Sequence, residues 1–249
     1  MIDSKETYKI FSDFYDMYVG NFSDDLEFYR TNCGKSDKII EIGCGTGRIL
    51  EYLLKSGYSI DGLDISQEML DKAKAKLGEW ITNGKLKLFK HNFSSGILKD
   101  KYDKALVSFY AFNYIIDKPV EFLINVYNSL NNDGLLLMDL FYPNSLYDTS
   151  IANKWIDKKY NIDGNTVKIR DNRHVIENIE RRQQIFYING SEIKIDTDRK
   201  YYTPKEMKTF LEEAGFMDVE FALDYDLNGF SEMIDNSNLK SNYLIKAKK

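Results

Sequence analysis

The feature that most limits how this chain can fold is a glycine-rich turn at residues 41–47, with the sequence Glu-Ile-Gly-Cys-Gly-Thr-Gly. A short apolar run leads into the turn, and apolar residues at helical spacing follow it from Arg48 to Ser56. This order predicts a strand, a tight turn and a helix. Three alternating glycines permit positive φ angles and let a ligand approach the backbone, and the helix behind them offers free N–H groups. The pattern therefore predicts a polar ligand at the turn.

The same unit recurs along the chain. Further strands are predicted at 58–64, 85–90, 102–109 and 135–141, with helices between them, one beginning at Ser66, one at Pro119 and a later one at the capping box Thr203-Pro-Lys-Glu206. Strands at 217–223 and 242–247 close the chain and are expected to pair antiparallel at one edge. These elements predict an α/β fold with a doubly wound, mostly parallel sheet of seven strands.

Two segments fall outside this alternation. Residues 1–36 are expected to form a helical cover, because aromatic residues recur there at spacings of three and four. Residues 144–200 are expected to form an antiparallel β insertion after the fifth strand, with strands at 167–170, 174–176, 182–188 and 192–195 and a hairpin turn at Asn189-Gly190. We expect both segments to belong to one domain that spans residues 1–249.

Charge and composition exclude several classes of function. The chain has 34 Lys plus Arg against 39 Asp plus Glu, a net charge of −5, and no long basic run, so a nucleic-acid partner is not expected. Two cysteines and two histidines do not form a recognised metal site. Without an evident signal peptide or membrane span, we expect a cytoplasmic protein that binds no metal or membrane and is a monomer or homodimer.

Two acidic residues narrow the choice of ligand at the turn. Dinucleotide-binding turns have the spacing G-x-G-x-x-G, whereas this one is G-x-G-x-G with Glu41 two residues ahead of its first glycine. A carboxylate there disfavours a pyrophosphate and favours an ammonium group. Asp64 ends the second strand, where an acid can accept hydrogen bonds from both hydroxyls of a ribose.

With these residues the chain resembles the S-adenosylmethionine-dependent methyltransferases of the Rossmann-like class. The resemblance rests on the turn at 41–47, on Gly62-Leu-Asp64-Ile-Ser66, on Asp133-Gly134 and on the stretch 203–216. It covers residues 38–142 closely and 200–249 loosely. The insertion after the fifth strand is similar to that of members that methylate amino sugars and other small metabolites. S-adenosylmethionine is therefore the expected cofactor.

The resemblance also implies roles for particular residues. The turn would lie under the methionine part of the cofactor, Asp64 would hold the ribose, Ile65 and Met69 would flank the adenine, and Asn92 with Phe93 would meet the adenine edge, where the family often has Asp. An aromatic residue of the first helix would cover the cofactor. The predicted cofactor-binding residues are Tyr15, Glu41, Gly43, Cys44, Gly45, Gly47, Asp64, Ile65, Met69, Asn92, Phe93 and Phe109, with Tyr18 as a further candidate for the cover.

Candidates for the acceptor site follow from the sheet. Ligands of open α/β sheets bind at the carboxyl ends of the strands, and Phe109, Tyr110 and Asn113 follow the fourth strand there, while Asp139 and Tyr142 close the fifth. His174, in the insertion, is a candidate general base.

The expected activity is transfer of a methyl group from S-adenosylmethionine to a small-molecule acceptor by in-line displacement, with nitrogen as the acceptor atom implied by the resemblance. The sequence does not identify a general base. Two alternatives stay open at this point: a nicotinamide-dependent oxidoreductase with a divergent turn, and a protein that binds S-adenosylmethionine without catalysis.

Overall fold

The computed structural model describes residues 22–93, 96, 98–143, 153–162, 165–188, 191–234 and 241–249, together with Ser12, Tyr15, Asp16 and Val19. Tyr18 lies outside the described residues. The chain divides into two compact units, one of residues 21–144 and 202–249 and the other of residues 1–20 and 145–201. The four isolated residues of the first segment are helical.

Eleven strands are found in the described part of the chain. They are β1 Ile39–Ile42, β2 Ile60–Asp64, β3 Leu86–Lys90, β4 Tyr102–Val107, β5 Leu130–Phe141, β6 Ile156–Ile162, β7 Asn165–Ile176, β8 Ile179–Ile188, β9 Ser191–Lys200, β10 Met217–Leu223 and β11 Asn242–Lys248.

Five α-helices and one short 3-10 helix connect these strands. They are α1 Leu26–Thr31, α2 Arg48–Lys55, α3 Gln67–Thr82, the 3-10 helix Ala111–Tyr114, α4 Pro119–Ser129 and α5 Pro204–Glu213. The predicted helix starts are confirmed. The Ser66 hydroxyl accepts a hydrogen bond from the Met69 N–H, Pro119 occupies the first turn of α4, and Thr203 and Glu206 form both bonds of a capping box.

The larger unit contains a seven-stranded sheet in the order β10-β11-β5-β4-β1-β2-β3. Strands β1 to β5 pair in parallel, and β11 runs antiparallel to both β5 and β10. The doubly wound, mostly parallel sheet and its antiparallel edge pair are thereby confirmed. The strand order reverses between β1 and β4, which places a ligand crevice at their carboxyl ends.

Helices cover both faces of this sheet. Apolar residues of α4 and α5 pack on one face with Ile40, Val107 and Met138, and those of α1, α2 and α3 pack on the other with Ile39 and Leu106. Side chains alternate between the faces along each strand. The next residues of β1, β4 and β5 on the second face are polar, and they build the site described below.

The fifth strand begins earlier than the sequence pattern indicates. We predicted a turn at 131–134 and a strand from residue 135, but β5 starts at Leu130, directly after α4. The turn residues are absorbed as an irregularity of the ladder, because Tyr102 pairs with Leu130 and Lys104 with Leu135, and Asp133 takes a positive φ of 61°.

The smaller unit contains a four-stranded antiparallel sheet in the order β6-β7-β8-β9. The sequence pattern missed β6 and divided β7 into two strands. It also missed the turn after β7, which is made by Glu177 and Asn178 with φ angles of 50° and 66°. Two positive φ angles suit a tight hairpin, but these residues are not the Asn-Gly pair that usually signals one. The predicted turn at 189–190 lies outside the described residues, between the paired strands β8 and β9.

Gly47 offers a test of this packing. Its φ is 82°, and a Cβ atom there would lie 2.9 Å from Leu77 Cδ1, whereas Gly84 has a φ of 78° and open space around it. Gly84→Ala should lower the free energy of unfolding by about 1–2 kcal/mol, the cost of a left-handed conformation. Gly47→Ala should add about 1–3 kcal/mol for overpacking. Urea denaturation measures both, and equal losses would contradict the packing described.

Candidate functional site

The glycine turn is held against the end of β2. The N–H groups of Gly43 and Cys44 both donate to the Leu63 carbonyl, at 2.7 and 2.9 Å. Gly43, Gly45 and Gly47 have φ angles of 79°, 54° and 82°, so each occupies the left-handed region that favours glycine. Gly47 is the N-cap of α2. The alternation of glycines is therefore required by the backbone path of the turn.

Asp64 is fixed by the backbone around it. Its Oδ2 accepts a hydrogen bond from the Gly45 N–H and its Oδ1 from the Ser66 N–H, each at 2.8 Å. Burial raises the pKa of this carboxyl, although the backbone hydrogen bonds oppose the rise. Asp64 is 9% exposed. Its carboxylate thus links the turn to the end of β2.

A row of polar side chains crosses the sheet beside the turn. Each polar residue lies two positions after an apolar residue of the core under α1 and α2, so all three lie on that face of the sheet. They are Glu41 after Ile39 in β1, Ser108 after Leu106 at the end of β4, and Asp139 after Leu137 in β5. All three are buried, with exposures of 1%, 3% and 0%.

Glu41 has one satisfied and one unsatisfied oxygen. The Ser108 hydroxyl donates to Oε1 at 2.5 Å, and Oε2 is buried without a hydrogen-bond partner among the described residues. Burial raises the pKa of Glu41 to about 8, although the Ser108 hydrogen bond and the Arg48 charge lower it. An unpartnered, buried carboxylate oxygen is costly, and a cationic ligand would relieve this cost.

Helix α1 covers the polar row. Asp25, just before α1, is fully buried and forms a bidentate ion pair with Arg48, the first residue of α2, at 2.7 and 2.5 Å. Tyr29, also fully buried, donates to Asp139 Oδ1 at 2.5 Å. Asp25, Glu41 and Asp139 thus face a single guanidinium, and this part of the site carries more acidic than basic groups.

Asp139 is the centre of a hydrogen-bond network. Besides Tyr29, the Tyr225 hydroxyl donates to its Oδ2 at 3.0 Å. Burial and the neighbouring Asp25 raise the pKa of Asp139 to about 7, and the two phenol hydrogen bonds limit the rise. Asp139 therefore changes protonation close to neutral pH.

Aromatic rings line the loop after β4. Phe109 stacks on Tyr110 with ring centroids 5.3 Å apart, and Phe22 lies 5.5 Å from Phe109 and 5.9 Å from Tyr225. The Arg48 guanidinium lies 5.1 Å from the Phe109 centroid. Phe109 and Tyr110 have φ angles of 50° and 62°. Two consecutive left-handed residues other than glycine are strained, and such strain clusters at functional sites.

Some of the residues expected around adenine are exposed and others are buried. Ile65 is 64% exposed, and Asn92 is also exposed. Met69 is buried in α3. The Phe93 ring packs in the core against Phe122, with centroids 5.7 Å apart, so its side chain serves the fold. Cys44 is buried as well and is a free thiol.

Two of the expected acceptor neighbours support the backbone. The Asn113 amide donates from Nδ2 to the Phe141 carbonyl and accepts at Oδ1 from the Phe141 N–H, at 3.1 and 2.9 Å. This pair of bonds pins the loop after β4 to the end of β5. Tyr142 is half-buried against the core, and its N–H donates to the Ser241 carbonyl. Tyr110 and Asp139, by contrast, share one network.

Two predicted residues belong to the other compact unit. Tyr15 is helical and half-buried. His174 lies in β7 and lines a pocket of about 390 Å³ on the polar face of the antiparallel sheet, with Arg181, Asp196 and Asp198 among its neighbours. Their roles toward cofactor and acceptor stay predictions.

Several residues of the site carry no signal in the sequence. Asp25 and Tyr29 look like ordinary residues of a short helix, and Arg48 like an ordinary helix start. Tyr225 lies in a stretch without periodicity, and Asn242, the first residue of β11, is an ordinary start of a strand. Only the fold brings these residues to the turn and to Asp139. Within the described ranges, no three His, Cys, Asp or Glu side chains are grouped to hold a metal, and no helix is long and apolar enough to cross a membrane.

Comparisons with known proteins concern the domain and the fold of the chain. Residues 40–136 match the model of the methyltransferase domain. The chain is 26% identical over 222 residues to the carboxy-S-adenosyl-L-methionine synthase of Nautilia profundicola, covering 87% of this chain and 84% of that protein.

Solved structures share the whole fold. An S-adenosylmethionine-dependent methyltransferase from Clostridium acetobutylicum has a TM-score of 0.73 and 19% identity, covering 97% of this chain and 98% of that one. The sugar N-methyltransferase KedS8 from Streptoalloteichus sp. has a TM-score of 0.70 and 14% identity, covering 94% and 92%.

Residues 40–136 are thus a methyltransferase domain, and the fold is that of the Rossmann-like class. The enzyme is an S-adenosylmethionine-dependent methyltransferase. S-adenosylmethionine is its cofactor, which sets aside a nicotinamide-dependent oxidoreductase. The site fits this cation, because the polar row is acidic and Glu41 Oε2 lacks a partner among the described residues.

The raised pKa of Glu41 makes stability depend on pH. The folded protein holds this proton up to about pH 8, whereas an unfolded chain releases it near its ordinary value of 4.5. Stability should therefore fall between pH 5 and 8 as the unfolded state loses protons that the folded state keeps. Glu41→Gln should remove about 1.4 kcal/mol per pH unit from this fall, as measured by urea denaturation without ligand.

Glu51→Gln is the matched control. Burial favours the neutral form of Glu51, but the hydrogen bonds and charges of Lys55 and Lys76 together outweigh it and keep the pKa below its ordinary value. Glu51 is thus ionised in both states from pH 5 to 8, and its variant should keep the wild-type slope. A Glu41→Gln slope equal to that of the wild type would show that Glu41 does not hold its proton.

Proposed function

We propose that this enzyme transfers the methyl group to an amino nitrogen of a small molecule, with an amino sugar as the favoured acceptor class. The observation that carries the proposal is the acidic, buried row formed by Glu41, Asp139 and the covering Asp25, with Arg48 as its counter-charge. An anion is disfavoured beside these acidic groups, whereas a cationic group bound there would favour the ionised forms of Glu41 and Asp139 and would be attracted by them. The fold shared with a sugar N-methyltransferase supports the same class.

The chain's residues can hold the cofactor in a consistent way. The turn of Gly43, Gly45 and Gly47 admits the methionine part, and Glu41 Oε2 can accept from its ammonium group. Asp64 can accept from the ribose hydroxyls while its own position is kept by the Gly45 and Ser66 N–H groups.

The adenine would then lie beyond Asp64. Ile65 and Met69 are suited to flank its ring, because both side chains are apolar and Ile65, directly after Asp64, is 64% exposed. Asn92 and the backbone of Phe93 could meet its edge. Cys44, Phe109 and Tyr15 complete the proposed cofactor set, and Asn113, Tyr142 and His174 remain proposed acceptor neighbours.

The bound cofactor supplies an activated methyl group on a sulfonium. The protein's part is to align the acceptor, and orientation of this kind is worth roughly 7–11 kcal/mol. The attacking nitrogen must be neutral, so the site has to accept a proton from an ammonium acceptor.

Asp64→Asn tests the ribose contact. The variant keeps the shape of the side chain but loses the charge that strengthens its hydrogen bonds, so its affinity for S-adenosylmethionine should fall about 10- to 100-fold. Isothermal titration calorimetry measures this. Asp61→Asn, in the same strand but bonded to the Tyr102 hydroxyl, is the control and should bind as the wild type does. Equal affinities for both variants would refute the assignment of Asp64.

A panel of acceptors tests the reaction. Purified enzyme and S-adenosylmethionine are incubated with nucleotide-linked amino sugars, simple primary amines and the corresponding hydroxy sugars, and S-adenosylhomocysteine release is followed. We expect release with an amine and none with its hydroxy analogue. Turnover of hydroxy sugars alone would move the acceptor atom to oxygen. Binding of the cofactor without turnover of any acceptor would favour a protein that binds S-adenosylmethionine without catalysis.

A further inference from the structure

A continuous chain of hydrogen bonds runs from the loop after β4 to a buried carboxylate. The Asn242 amide donates to the Tyr110 hydroxyl at 3.2 Å, the Tyr110 and Tyr225 hydroxyl oxygens are 3.3 Å apart, and Tyr225 donates to Asp139 Oδ2 at 3.0 Å. Tyr29 donates to the other oxygen of Asp139.

The protons of this chain can be assigned. Ionised Asp139 only accepts, so Tyr225, which has one proton, donates to Asp139 and accepts from Tyr110. Tyr110 in turn donates to Tyr225 and accepts from the Asn242 amide, which leaves one lone pair of its oxygen for a ligand. Every donor therefore points toward Asp139.

The two ends of the chain differ in access. Tyr110 is half-buried, on the strained loop at the carboxyl ends of the strands, whereas Asp139 is fully buried. An acceptor at that edge of the sheet can reach the Tyr110 oxygen but not Asp139.

We propose that Tyr110, Tyr225 and Asp139 form a relay that takes up the proton released by the acceptor amine, with Asp139 as its final holder. The inference rests on the proposed function, because it requires an acceptor that loses a proton. Tyr110 would be the catalytic residue that touches the acceptor, and Tyr225 and Asp139 would act through it.

The two tyrosines can pass a proton on, but neither can be its final acceptor. Burial and the charge of Asp139 raise the pKa of both Tyr110 and Tyr225, so neither phenol ionises near neutral pH. Asp139 does ionise there. The groups that face it are Asp25 just before α1, Tyr29 of α1, Arg48 of α2, Tyr225 after β10 and the loop of Phe109 and Tyr110 after β4.

The step balances in atoms and charge. One proton leaves the acceptor ammonium for the Tyr110 oxygen, the Tyr110 proton passes to Tyr225, and the Tyr225 proton passes to Asp139. The freed nitrogen lone pair forms the new N–C bond, and the C–S bond breaks with its electron pair left on sulfur. After the product leaves, the carboxylic acid of Asp139 returns its proton through Tyr225 and Tyr110 to water at the vacated acceptor position.

The kinetic test uses the amine from the acceptor panel that gives the fastest turnover. Tyr225→Phe keeps the ring beside Phe22 but interrupts the relay, so kcat should fall about 100-fold with KM little changed. The decline of kcat below about pH 7 should also disappear, because Asp139 no longer exchanges protons with the acceptor. Tyr110→Phe should reproduce both effects. Agreement between the two variants would show that the loss does not come from a folding defect in one of them.

Two further variants separate a relay from a structural role. Tyr29→Phe removes a donor to ionised Asp139 but leaves the relay intact, so the acidic limb of the kcat profile should shift to higher pH instead of vanishing. Tyr58→Phe also loses one buried phenol hydrogen bond, to the Arg30 carbonyl, and should keep the wild-type profile.

An infrared titration needs no acceptor. In the complex with S-adenosylhomocysteine, the carboxylic acid band that Asp139→Asn removes should titrate near pH 7 and shift to higher pH in Tyr225→Phe. A midpoint near the ordinary value of about 4 would overturn the relay, as would a Tyr225→Phe enzyme with the wild-type rate and acidic limb. Failure of the proposed function looks different, because the wild type itself would then turn over no amine.

Discussion

The structure depends on how the sheet accommodates three buried carboxylates beside one guanidinium. Asp25, Glu41 and Asp139 are almost fully buried, and among the described residues Arg48 forms its ion pair with Asp25. Burial of unpaired charge is expensive, so the pKa values of Glu41 and Asp139 are raised. Hydroxyl groups donate to both acids, Ser108 to Glu41 Oε1 and two phenols to Asp139, while Glu41 Oε2 has no partner in the described part of the chain. A cation bound beside these acidic groups would stabilise their ionised forms, and the cofactor is a cation.

The parallel sheet makes this arrangement possible. Strands β1, β4 and β5 are adjacent and run in one direction, so residues near their carboxyl ends lie side by side on one face. The loop after β4 then has to turn sharply toward the glycine turn, and a Cβ on Gly43 would come within 3.2 Å of Ala111 Cβ. The left-handed backbone of Phe109 and Tyr110 lies at this constriction, and it brings the Tyr110 hydroxyl to Tyr225.

Much of the fold and part of the site follow from local sequence patterns. The strand, turn and helix around Gly43 are predictable because glycine spacing and apolar periodicity act over a few residues, and Asp64 follows because it ends the next strand. The partners of Asp139 are not predictable in this way. Tyr29 and Tyr225 lie 110 and 86 residues from it along the chain, and only tertiary packing brings them together.

The errors have similar causes. Asp133-Gly134 is a good turn signal, but pairing with β4 absorbed it into a longer strand. The hairpin at Glu177 and Asn178 lacks the usual glycine, so the sequence does not predict a turn there. The case of Asn113 is different, because the structure shows its amide bonded to the Phe141 backbone and its role beside an acceptor stays a prediction.

The bond between Asp25 and Arg48 has a consequence for where this enzyme can be divided. The matched methyltransferase domain starts at residue 40, yet the segment before it supplies the only direct counter-ion of Arg48 in the described chain and one of the two phenols on Asp139. A fragment trimmed to the domain boundary would keep the cofactor turn but open a charged cleft to water. Helix α1 and the residue before it are thus a necessary part of the site, although they lie outside the matched domain.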